Sequence, residues 1–102
     1  MALKSLGEIR TEIDGDRVIT AFKAAVESQT GRNTDAVFDE LYPKDCADVV
    51  DNVRLKTLAV LCGNKVAESG NGVAVFFGGM ITAELLRISG LDKDARDMEN
   101  DM

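Results

Sequence analysis

The sequence predicts a mostly α-helical chain, a small bundle of about four helices, and three observations carry that expectation. Apolar residues recur at helical spacing from Asp16 onward. Helix-capping and helix-stopping residues bracket those stretches. With only five aromatics (Phe22, Phe38, Tyr42, Phe76 and Phe77), the core has to be built from Leu, Val, Ile and Ala, which suits closely spaced helices. A chain of 102 residues, 45% apolar and 29% charged, holds enough apolar surface for one core without metals or disulfides. Residues 1–91 are expected to form that single helical domain, and 92–102 an acidic, flexible C-terminal tail.

The first stretch admits two readings. Leu3, Leu6, Ile9 and Ile13 keep a helical spacing, with Gly15 as a stop. The same residues suit an N-terminal β-hairpin, with Ile9, Thr11 and Ile13 alternating with polar neighbours before an Asp14-Gly15 turn. Helix is the preferred reading.

From Asp16 the pattern is clearer. Asp16 caps a helix whose face is Val18, Ile19, Phe22, Ala25 and Val26, and which ends at the run Ser28 to Gly31. Asn33 or Thr34 caps a short helix with the stripe Val37, Phe38, Leu41 and Tyr42, stopped by Pro43. The longest helix is expected to open at Asp45, with Asp48 near the positive end of its dipole. Its buried face reads Val49, Val50, Val53, Leu58, Leu61 and Cys62. Asp51, Asn52, Arg54, Lys56 and Lys65 form its exposed face. Ser69-Gly70-Asn71-Gly72 is a turn.

Val73 to Ser89 is the most informative stretch. Val73 to Ala83 carries no charge, but a membrane span needs about 20 such residues, and Glu84 and Arg87 interrupt it. No membrane insertion is therefore expected. Val73 to Phe77 suits a buried strand ending in two glycines. As a helix, the segment carries small residues every fourth position, through Ala74, Gly78 and Thr82 and again through Gly79 and Ala83. Two glycines inside a helix cost roughly 1 kcal/mol each relative to alanine. Close approach of another backbone offsets that cost. The candidate partner contacts are accordingly Ala74, Phe76, Phe77, Gly78, Gly79, Thr82 and Ala83.

Composition excludes more chemistry than it suggests. Histidine is absent, which removes the commonest general base, the Ser-His-Asp and Cys-His arrangements and most zinc sites. No phosphate-binding glycine motif occurs. With 18 acids against 12 bases, a net charge of −6 and no basic run, direct nucleic-acid binding is not expected. Cys46 and Cys62, both placed on the long helix, would lie about 24 Å apart, too far for a bridge. Free thiols and a start without a signal peptide point to the cytoplasm. No catalytic residue, metal or cofactor is assigned.

The expected function is non-enzymatic: a small helical protein acting through protein–protein contacts, as a homo-oligomeric assembly subunit or a partner-binding modulator. Small size and missing motif chemistry also suit accessory proteins of viruses or mobile elements. The alternative is a small-molecule or nucleotide binder with its pocket between subunits, using Gly70 and Gly72 amides and Arg54 or Lys65.

Overall fold

The structure, a computed structural model, describes residues 4–43, 51–68, 70 and 72–101. Among them are six helices and no strand: α1 (Leu6–Gly15), α2 (Arg17–Thr30), α3 (Thr34–Leu41), α4 (Asn52–Ala67), α5 (Gly72–Ile88) and α6 (Asp92–Asn100). The count of about four is thus too low. The N-terminal stretch contributes one extra helix and the expected tail the other.

The hairpin reading of the N-terminus does not hold. Ser5 accepts a hydrogen bond from the Glu8 amide while the Glu8 carboxylate accepts one from the Ser5 amide, a reciprocal cap that fixes the first turn of α1. Leu6, Ile9 and Ile13 then fall on one face and are buried. The chain breaks at Asp16, whose extended backbone ends α1 and whose Oδ1 accepts from the Ile19 amide at 2.9 Å to start α2. Gly31, at φ 74°, closes α2 in the left-handed conformation that glycine takes at least cost. Asn33 caps α3, which buries Phe38 and is followed by the buried Tyr42, as its stripe requires.

The expected opening at Asp45 and the apolar positions Val49 and Val50 lie outside the described residues, as does Cys46. What the structure does show is a cap at Asp51: extended backbone, with Oδ1 accepting from the Arg54 amide at 2.8 Å. One helix therefore does not carry both Cys46 and Cys62, and the separation argument against a bridge loses its premise. Cys62 itself is a free thiol in the core. The longest described helix is α5, at 17 residues, not α4, at 16.

The buried face of α4 also differs from the expected one. It runs through Leu55, Ala59, Cys62, Gly63 and Val66, while Val53 is 74% exposed and Leu61 44%. Apolar residues surround this helix, so periodicity alone does not choose a side. The small residues Ala59 and Gly63 decide it, because they let α5 come close.

α5 is the central element, packing against α4, α6, α2 and α1, while α3 lies on α4 and α2. It runs as unbroken helix through Gly78-Gly79, so the strand reading of Val73 to Phe77 fails. From Ile81 to Ser89 only Arg87 is exposed. Gly90 (φ 89°) then ends α5. The Leu91 amide donates to Leu86 O at 2.9 Å, the Gly90 amide donates to Arg87 O at 3.0 Å, and buried Leu91 is brought close to buried Leu86.

Residues 92–100, expected as a solvated tail, form α6 and pack on α5. Leu91, Ala95 and Met98 follow the helical i, i+4, i+7 pattern; the first two are buried and Met98 is partly so against the core. Lys56 pairs with Asp94 at 3.0 Å, joining α6 to α4.

Candidate interaction surface

The seven candidate contact residues separate into an inner and an outer set. Gly78 faces Gly63 of α4. A methyl group built on Gly78 would meet Gly63 O at 2.6 Å and the Ala67 methyl at 2.9 Å. One built on Gly63 would meet Gly78 O at 2.6 Å and run into the Thr82 side chain. Thr82 Oγ1 donates back to Gly78 O at 2.9 Å, satisfying its hydroxyl inside the seam. The close backbone approach read from the glycines is present, but it lies within one chain. Ala74, Gly78 and Thr82 are buried on this side of α5, while Ala83, also buried, faces α2. Gly79 and Phe77 are half-buried, the Phe77 ring lying tilted at 6.1 Å from Phe22 of α2 and meeting Phe76 edge-on at 5.9 Å. Of the seven, Phe76 is the one left fully at the surface, 54% exposed.

The seam displaces larger apolar side chains outward. Leu61 and Phe76 each stand two residues before a seam glycine, about 200° around their helices, so they point away from the seam in opposite directions. Leu61 shares the outer side of α4 with Val53 and Val60, both exposed. Phe76 shares the outer side of α5 with Val73 and Met80. Beside them Val18, Phe22, Met80 and Ala83 line a groove between α2 and α5, with Glu84 and Glu99 at its α6 end. Sequence reasoning missed Val53, Val60 and Leu61 as surface residues, having assigned Val53 and Leu61 to the core. The overlooked signal was the excess of apolar residues around α4.

Glu84 is buried and paired with Arg87, whose Nη2 also donates to Asp16 Oδ2 at 3.0 Å, tying α5 to the α1–α2 corner. Buried Arg10 pairs with Asp14 at 3.3 Å and with Asp39 at 2.5 Å. Lys23 lies 4.9 Å over the Phe38 ring and pairs with Asp35. Burial pushes the Cys62 thiol up to about 12, against the opposing influence of Lys23 and Arg10. At neutral pH it is a protonated core residue, not a nucleophile. Burial likewise raises the Tyr42 hydroxyl, which finds no hydrogen-bond partner among the described residues.

Lys65, named for a ligand pocket, lines a cleft of about 390 Å³ with Arg32, Asn33, Thr34 and Glu68. Arg54 is not in it. Ser69 and Asn71 of the adjoining turn lie outside the described residues. Among the described residues no group of His, Cys, Asp and Glu side chains is arranged to hold a metal, and no helix is long and apolar enough to cross a membrane. No protein-family model, curated protein or solved structure matches the chain.

Proposed function

We propose that the chain acts non-enzymatically through protein contacts, as a homo-oligomeric assembly subunit or a modulator that binds one partner. A single observation carries this reading. Among the described residues, six of the seven large apolar side chains that stand exposed (Val53, Val60, Leu61, Val73, Val75 and Phe76) belong to α4 and α5, whose shared seam is already closed from within. They form two separate apolar patches, one on the outer side of each helix, and exposed apolar patches mark contact sites. The buried, protonated Cys62 suits a reducing cytoplasmic setting and supplies no reactive group.

The test compares the wild type with Leu61→Asp and Phe76→Asp, both exposed enough to leave the core intact. Solution mass by light scattering and the proteins recovered with the tagged chain from its host are read together. Loss of an oligomer or of a specific partner in either variant supports the reading. Variants that change neither the mass nor the recovered proteins overturn it.

A further inference from the structure

We propose that α3 is a latched lid: it opens and closes as one unit over the Cys62 side of α4, and the ion pair between buried Arg10 and Asp39 is its latch.

Three features set α3 apart. Of its eight residues only Thr34 and Phe38 are buried, and its main contacts are with α4 and α2, not with the central α5. It joins α2 through Gly31, Arg32 and Asn33, all exposed, with Gly31 at φ 74°. It also covers the part of α4 that holds Cys62. Val66, one turn beyond Cys62, shares a cleft with Val37 of α3, and Tyr42, the residue after α3, lies close enough to Cys62 to feel its charge.

Charge fastens both turns of this helix. In the first, Glu27 of α2 accepts from the Thr34 amide at 3.0 Å and from the Thr34 hydroxyl at 3.2 Å, and Asp35 pairs with Lys23. In the second, Asp39 pairs with Arg10 of α1 at 2.5 Å. Both aspartates are more than half exposed, so the cations decide how much each pair matters. The Lys23 side chain is 17% exposed, and that of Arg10 only 5%. Among the described residues Arg10 has Asp14, at 3.3 Å, as its other counter-ion, and its Nε and Nη1 make no hydrogen bond.

A guanidinium held there without Asp39 is a poorly compensated charge kept from water, which costs far more than losing a surface pair. Moving α3 aside takes Asp39 away, but it also admits water to Arg10. Two arrangements are therefore consistent: closed with the pair made, and open with Arg10 hydrated. The closed helix without its pair is the unfavourable one, so α3 moves as a whole.

Cys62 supplies the reporter, in a Cys46→Ser background where it is the single thiol. Its alkylation by iodoacetamide and the amide exchange of α3 and α5 are followed in native buffer. Asp39→Asn should speed Cys62 alkylation and α3 exchange by about tenfold or more, with exchange along Ile81 to Ile88 unchanged. Arg10→Met fills similar space without charge and leaves Asp39 in water, so both rates should stay near those of wild type. Adding Arg10→Met to Asp39→Asn should cancel the rise. Protection of Cys62 that Asp39→Asn leaves intact overturns the latch. An Asp39→Asn chain that does not fold, or whose α5 exchange rises with that of α3, overturns the independent opening. A double variant as reactive as Asp39→Asn alone overturns the role of Arg10.

Discussion

Gly63 and Gly78 lie back to back across the α4–α5 seam, so close that a methyl group on either would stand 2.6 Å from the carbonyl oxygen of the other. Both obstacles are backbone, which has no flexible end to move aside. The intrinsic helical preference for alanine over glycine, roughly 1 kcal/mol, is thus opposed by a steric cost that exceeds it.

Gly78→Ala and Gly63→Ala should each destabilise the fold by about 1–3 kcal/mol, Gly63→Ala more because Thr82 also obstructs it. Gly15 provides the control. It ends α1 with open space around it and no positive φ, so Gly15→Ala should stabilise by about 0.4–1 kcal/mol. Urea midpoints of the three variants check the ordering. Equal stabilisation of all three would refute the tight seam.

Helix α6 should prove structural. Ala95 is 2% exposed against α5, so Ala95→Asp places a carboxylate where water is excluded and should cost about 2 kcal/mol or more. The neighbouring exposed position gives the contrast: Arg96→Asp should change the melting temperature little. A melting temperature that Ala95→Asp leaves unchanged would return these residues to the role of a solvated tail.

Asp16 uses both carboxylate oxygens, one on the Ile19 amide and the other on Arg87. Asp16→Ala should therefore lose the α2 cap and the tie to α5 together, about 1–2 kcal/mol. Asp16→Asn keeps a capping oxygen and should recover most of that loss, because Arg87 is half exposed and its ion pair is weak. Thermal melts at low and high salt would separate the two contributions.

Alkaline pH should destabilise the protein in a defined window. Cys62 rises from its ordinary 9.0 to about 12 in the fold, and Tyr42 rises with it through burial and through Cys62 nearby. Both groups hold their protons more tightly folded than unfolded. The Cys62 contribution is complete below about pH 9.0 and is lost as pH climbs towards 12, while that of Tyr42 begins to fall only above its ordinary 10.0 and persists to higher pH. Urea midpoints should fall across that range, and Cys62→Ala should flatten the fall. At neutral pH Tyr42→Phe should be neutral or stabilise by up to about 1 kcal/mol, since it removes a hydroxyl with no partner among the described residues.

The parts of this fold legible in the sequence are those where one residue's chemistry decides locally. Asp16 and Asn33 at helix starts, and Gly31 and Gly90 at helix ends, stand where capping and left-handed backbone require them. The stripe of α3 followed equally directly from spacing, and so did that of α2 apart from Val18, which is 42% exposed. What stayed hidden depends on non-local choices. Val53 and Leu61 are no less apolar than Leu55, and nothing along α4 itself reveals that Gly63 will be the point of contact. The charge of residues 92–101 masked the Leu91, Ala95 and Met98 pattern, which amounts to only three residues. The glycines correctly signalled a close contact. Periodicity carries no information on whether the partner backbone is another chain or the preceding helix, and here it is the preceding helix.

The ion pair between Lys56 and Asp94 bears on how the chain finds its shape. It fastens the second turn of α4 to the first turn of α6, so three consecutive helices joined by connections of only a few residues close into one unit. Loops that short lose little entropy on closing, and such units form fast. The half of the chain that holds α4 to α6 should therefore organise first, with α1, α2 and α3 docking onto α5 afterwards. Amide exchange should be slowest along Ile81 to Ile88, and Gly78→Ala should act mainly by slowing refolding. Asp16→Ala, by contrast, should act mainly by speeding unfolding.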